Sequence, residues 1–134
     1  MSDSEPLPLE GLKVLDISTF IAAPAAAVAL ADYGADVIKI EAPGEGDPHR
    51  HNYKRAATYP RSEHNFPLQL DGRLKRSITL DLKNEAARPI IEKLIRQADV
   101  MIVNFPEASV LPSTASVVVP VRRLTLTVAG APSL

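Results

Sequence analysis

The chain has 134 residues, enough for one domain with a real core, and its 46% hydrophobic content fits a globular protein. A formal net charge of −1 gives no ground for nucleic acid or an anionic membrane as partner, and the lack of cysteine excludes disulfides and thiolate metal sites. Met1 to Glu10 is acidic and proline-bearing, the opposite of a signal-peptide start, and the apolar run Ile21 to Ala31 is too short to span a bilayer, so a soluble cytoplasmic protein is expected, with mitochondrial or peroxisomal placement open for a eukaryotic source.

Residues 1–8 read as a flexible tail. Leu12 to Ser18 is mostly apolar and short, the pattern of a strand covered on both faces in a parallel sheet. A helix follows: Pro24 suits the first helical position, which needs no N–H, Ala25 to Ala31 has high helix propensity, and Gly34 is placed to end it as the C′ residue. Val37 to Ile40 is the second strand, so a right-handed βαβ unit is expected. Pro43-Gly44-Glu45-Gly46-Asp47-Pro48 is loop punctuation, and residues 49–72 show no clear period, a long excursion carrying Arg50, His51, Lys54, Arg55 and Arg61 between Tyr53, Tyr59 and Phe66.

Ser77 to Leu82 alternates and is β-branched at two positions, which predicts a strand. Asn84 is an N-cap for a helix whose apolar positions are Ile90, Ile91, Leu94, Ile95 and Ala98. Pro89 requires either a distorted first turn or a regular helix that begins there. Val100 to Val103 is a fourth, buried strand. From Ala108 onward there is no Asp, Glu or Lys; Val117 to Val119 and Leu124 to Val128 are compatible with strands and equally with sticky, low-charge segments.

Three places could carry chemistry. The turn Ser18 to Ala23 leads into a helix N-terminus, which favours phosphate, and Glu41 lies about twenty residues on, where a ribose-binding acid sits in dinucleotide folds. The turn has no glycine, so the dinucleotide fingerprint is missing, and Glu41 reads better as a solvated carboxylate at a strand end. Arg73, Lys75 and Arg76 precede a strand and are either phosphate ligands or a solvated loop, the latter being favoured. His49, His51 and His64 lack a further ligand at metal-binding spacing, so no metal is expected. Asp16, Asp36 and Asp81 read as element-edge residues, and no paired carboxylate or Ser–His–Asp set stands out.

Four segments in this order resemble the family III CoA-transferases, the group of formyl-CoA, carnitine and bile-acid CoA-transferases that includes α-methylacyl-CoA racemase. They are Pro8 to Asp16, Leu30 to Glu41 with Pro43-Gly44 and Gly46-Asp47 after it, Lys75 to Lys83, and Ala98-Asp99-Val100 running to Asn104-Phe105. The resemblance covers about residues 8–106. It implies an α/β fold, the Rossmann-like parallel-sheet N-terminal part of the family's large domain, incomplete here and occupying residues 9–106.

The resemblance also implies coenzyme A, as an acyl-CoA substrate, at Ile21 and Ala22 after the first strand, at Ala42, along Leu80-Asp81-Leu82-Lys83, and at Asn104-Phe105-Pro106. Lys83 is the most natural charged contact among them. Many members carry arginine where this chain has Ala42, so one contact is missing. The implied partners are an acyl-CoA and a carboxylic acid, with a homodimer in the intact family. The family's nucleophile is an aspartate in a later segment, where it forms an anhydride and then a thioester. No stretch of this chain matches that segment, so no catalytic residue is carried over. The expected reading is an N-terminal fragment of a CoA-transferase moving CoA between carboxylic acids, the alternatives being a racemase-type fragment and a non-catalytic CoA-binding module. Residues 107–134 are expected to be a non-family tail, out of frame, mis-spliced or disordered, against a genuine divergent C-terminus.

Overall fold

The computed structural model describes residues 5–55, 62–104 and 124–127. Strand β1 spans Lys13–Ile17, helix α1 Ala22–Asp32 and strand β2 Asp36–Glu41. Two short helices, α2 (His49–Arg55) and α3 (Phe66–Gly72), precede strand β3 (Lys75–Thr79). A 3₁₀ turn at Glu85–Ala87 runs into helix α4 (Arg88–Gln97), then strands β4 (Val100–Val103) and β5 (Leu124–Thr127) follow. All pairings are parallel, in the order β3-β2-β1-β4-β5.

The sheet is covered on both faces, and alternation along the strands divides the core. Val14, Val37, Val100 and Ile102 face α1, which meets them with Ala23, Ala27 and Ala31. These alanines recur every fourth residue, so one helix face is nearly smooth and lies close on the sheet. Leu15, Ile17, Ile40 and Val103 face α4 and pack with Ile91, Leu94 and Ile95.

The α1 end is a Schellman closure. Gly34 adopts φ +100°, its N–H donates to Ala31 O at 2.9 Å, and the Ala35 N–H donates to Leu30 O at 3.1 Å. Pro24 is the third residue of α1 rather than the first, since the helix starts at Ala22; its missing N–H still falls among those with no intrahelical partner.

The structure corrects or refines the sequence reading at several elements. The excursion 49–72 contains α2 and α3, which lack a long apolar stripe and start on local caps. Asp47 accepts from the His49 N–H at 2.9 Å, and Asn65 accepts from the Leu68 N–H at 3.1 Å with Pro67 in the first turn. Strand β3 begins and ends earlier than expected, because its pairing with β2 runs from Val37↔Lys75 to Glu41↔Thr79. The Pro89 conflict is resolved by the 3₁₀ turn under the Asn84 cap, which leaves Pro89 at the start of α4. Ile90 is 50% exposed, outside the apolar stripe of α4. The possible strand at Leu124 is present as β5, whereas Val117 to Val119, Tyr59 and Arg61 lie outside the described residues.

Candidate functional site

The strand order reverses beside β1: β2 and β3 lie on one side, β4 and β5 on the other. In parallel α/β sheets a crevice opens at the carboxyl ends of the strands at such a point. Here that edge carries the turn Ser18-Thr19-Phe20, and every N–H and C=O of these three residues is held by a side chain. Ser18 N–H donates to Asp16 Oδ1 (3.1 Å), and its carbonyl accepts from Lys39 Nζ (2.8 Å). Thr19 N–H donates to Asn104 Oδ1 (3.0 Å), and Asn104 Nδ2 donates to the Thr19 carbonyl (2.7 Å). Phe20 N–H donates to Asp47 Oδ1 (3.1 Å), and its carbonyl lies 3.1 Å from His49 Nδ1. The amides that would meet a phosphate in a glycine-rich dinucleotide turn are thus spent inside the protein, a physical reason why the glycine fingerprint is dispensable here.

Behind the turn lies a buried lattice of charge. Asp16 is fully buried within β1 rather than at an element edge; it accepts from Lys75 Nζ (2.8 Å) and from the Ser18 hydroxyl. Lys39 pairs with Asp47 at 2.9 Å and stands 3.8 Å from Asp16. Glu41 is 6% exposed, a correction to its reading as a solvated carboxylate. Arg50 donates to both its oxygens (2.6 and 2.6 Å), the Asp47 N–H donates at 3.0 Å and the Ser77 hydroxyl at 2.9 Å.

These donors, Arg50 first, pull the Glu41 carboxyl from its ordinary 4.5 down to about 2, against the opposing effect of burial. The same pairing raises Arg50. Burial lowers the Lys75 ammonium and raises the Asp71 carboxyl, which faces His49 Nδ1 at 3.4 Å.

The basic set, expected in a solvated loop before a strand, is committed to structure instead: Lys75 and Arg76 are the first two residues of β3 and Arg73 lies just ahead of it. Arg73 pairs with Asp32 (2.5 Å), Arg76 with Asp36 (2.6 Å) and Lys75 with Asp16. A hollow of about 410 Å³ between α3 and the β2–β3 pair is lined by Lys39, Glu41, Arg50, Arg73 and Lys75, each of which is already ion-paired. His49 is buried, whereas the His51 ring faces the Glu45 carbonyl (3.1 Å) and His64 stacks edge-on to Phe66, so the three rings do not converge.

In front of the turn is a cleft of about 310 Å³. One wall is Ser18, Thr19 and Asp47, and the other runs from Leu80 to Lys83, with Ala42 between them. Asp81 accepts from the Lys83 N–H at 3.0 Å, an Asx turn that shapes the second wall; Leu80 donates its N–H to the Glu41 carbonyl at 2.9 Å. Lys83 is exposed at the rim.

The cleft therefore gathers Ala42, Leu80, Asp81, Leu82 and Lys83 of the residues singled out from sequence. Ile21 and Ala22 are exposed at the adjoining start of α1 and are not among the lining residues. Asn104 reaches the site through Thr19, with its amide engaged on both sides. Phe105 and Pro106 lie outside the described residues. Sequence reasoning missed Lys39, Asp47 and Asn65 as organising residues. The only local signal was capping chemistry at Asp47 and Asn65.

This arrangement defines the class: a Rossmann-like parallel α/β unit with a cleft at its topological switch point. The chain belongs to CoA-transferase family III, whose model matches residues 9–111.

Among curated relatives, succinyl-CoA–D-citramalate CoA-transferase of Chloroflexus aurantiacus is 37% identical over 108 residues, covering 78% of this chain and 25% of that protein. Formyl-CoA:oxalate CoA-transferase of Escherichia coli is 42% identical over 98 residues, covering 73% and 23%. Cinnamoyl-CoA:phenyllactate CoA-transferase of Clostridium sporogenes is 39% identical, covering 71% and 23%. The chain spans about a quarter of the length of these relatives.

Among solved structures, a CAIB/BAIF family protein from Brucella suis superposes with TM-score 0.68 at 34% identity, covering 81% of this chain and 29% of that one. A mutant of Rv3272 from Mycobacterium tuberculosis reaches 0.71 at 32% identity, covering 82% and 28%. Among the described residues, no helix is long and apolar enough to cross a membrane.

Proposed function

We propose that residues 9–106 hold the coenzyme A portion of an acyl-CoA for an enzyme that moves CoA between carboxylic acids. The observation that carries this reading is the cleft at the switch point, which brings Ala42 and Leu80 to Lys83 to one place beside the turn after β1. Its lining is largely apolar, with Ile17, Ile40, Leu80 and Leu82, and the Lys83 ammonium stands at the rim. An uncharged arm lies against such walls while a phosphate meets the exposed lysine. Ile21, Ala22, Asn104, Phe105 and Pro106 complete the proposed CoA-binding set from the resemblance, Asn104 by bracing Thr19.

No catalytic residue is assigned among residues 9–106. Of the carboxylates that line the cleft, Glu41 and Asp47 are held by an arginine and a lysine inside the protein, which leaves them poor nucleophiles, and Asp81 accepts the Lys83 N–H in its Asx turn. The transferring carboxylate of the family reading belongs to sequence beyond the match, which runs to residue 111 and so takes in the first residues of the segment 107–134 expected to be non-family. The 134-residue chain is accordingly proposed to bind CoA without transferring it. A homodimer belongs to the same reading and is tested by light scattering.

The test is calorimetric titration of CoA into the chain, with Lys83→Ala alongside. Saturable binding that weakens about tenfold in the variant supports the reading. No saturable binding, or an unchanged Lys83→Ala, overturns it. A non-catalytic module and an enzyme part separate when the chain is mixed with the downstream region of a family relative. Acyl transfer that appears only in the mixture marks the enzyme part.

A further inference from the structure

We infer that Asp47, held in place by Lys39, is a positioning residue for the cleft: its carboxylate keeps Phe20 in a left-handed backbone conformation and so sets the wall formed by Ser18 and Thr19. The inference rests on the CoA reading of that cleft.

Phe20 has φ +66°, a conformation that residues other than Gly, Asn and Asp rarely adopt. Its N–H donates to Asp47 Oδ1 at 3.1 Å, and the same oxygen accepts the His49 N–H at 2.9 Å. The other oxygen of Asp47 meets Lys39 Nζ at 2.9 Å, and Lys39 in turn holds the Ser18 carbonyl at 2.8 Å. The two side chains are 2% and 6% exposed. A charge pair so buried is a poor source of stability, since its desolvation offsets its attraction; what fixes the geometry is the hydrogen bonds that Asp47 accepts from the Phe20 and His49 amides. The pair and these bonds tie together the end of β1, the middle of β2 and the start of α2, the three segments that meet behind the cleft. Asp47 also lines the cleft directly, beside Gly46 and Pro48. A ligand in the cleft therefore meets a wall whose shape depends on a carboxylate from the loop after β2.

Removing one partner alone buries a lone charge and risks unfolding, so the test keeps charge balanced. In a Lys39→Met background, Asp47→Asn retains an oxygen for the Phe20 and His49 amides, whereas Asp47→Ala removes it. Both double variants are checked for folding by circular dichroism and urea titration, and CoA is then titrated into the folded protein. The expected result is that the Asn form binds within about threefold of wild type and the Ala form about tenfold more weakly than the Asn form. Phe20→Asn, which favours left-handed backbone on its own, is added to both, and the gap between them is expected to close to about twofold.

A merely structural role lowers stability but leaves no gap in affinity for Phe20→Asn to close. Equal CoA affinity of the two double variants, or a gap that Phe20→Asn leaves unchanged, overturns this inference while wild-type binding still stands. Failure of the wild type to bind CoA overturns the underlying reading instead.

Discussion

Removal of the Arg50 guanidinium tests the charge lattice most directly. Glu41 is buried and has its strongest partner in Arg50, which contacts both carboxylate oxygens. Its folded-state pKa is about 2 against an ordinary 4.5. That gap corresponds to roughly 3 kcal/mol, and exposure of the Arg50 side chain to solvent reduces it to roughly 2 kcal/mol. Because the folded pKa is depressed, the contribution is fully present above the unfolded value and is lost as pH falls from 4.5 toward 2. Arg50→Met leaves Glu41 the Ser77 hydroxyl and the Asp47 N–H. The variant is expected to lose about 2 kcal/mol at pH 7 and to lose less further stability than wild type between pH 6 and pH 3. Urea unfolding at pH 7, 5 and 3 measures both quantities. Equal stability at pH 7, or parallel acid limbs for the two proteins, would refute the reasoning.

Other expectations follow from particular contacts. Gly34→Ala places a Cβ 2.6 Å from the Leu7 Cβ at φ +100° and is expected to cost about 2 kcal/mol in urea unfolding. Lys75→Met leaves the buried Asp16 the Ser18 N–H and hydroxyl and, as its remaining cation, Lys39 at 3.8 Å; it is expected to cost about 3 kcal/mol, part of which Asp16→Asn restores in the double variant. Asn104→Ala frees the backbone N–H and C=O of Thr19. It is expected to weaken CoA binding about tenfold for a stability loss of about 1 kcal/mol, with faster exchange of the Thr19 amide by NMR.

The βαβ unit was legible because its signals are local. Short, mostly apolar runs mark β1 and β2, alanines fill α1, and Gly34 ends it. The stripe of α4 was equally plain, apart from Ile90, whose exposure depends on which side of the helix the sheet lies. Helices α2 and α3 were not legible: seven residues carry no useful period, and their starts depend on Asp47 and Asn65 serving as caps. The Lys75 to Lys83 segment read as a strand two residues late, since register is set by pairing with β2 rather than by the segment itself.

Of the cleft, the positions from Leu80 to Lys83 came from family likeness and not from chemistry visible in the residues. The lattice behind it was invisible for a simpler reason. Asp16, Lys39, Glu41 and Lys75 look like ordinary surface charges in a strand, and only the third dimension turns them toward one another.

The bracing of Thr19 by Asn104 links residues 85 positions apart. On the ribosome, where chains fold as they emerge, the turn after β1 is therefore made long before the residue that completes its support. A nascent chain that has released Lys39 and Asp47 but not Asn104 holds the turn from one side only. The cleft is thus a late product of synthesis, finished when β4 leaves the exit tunnel and docks beside the first strand made.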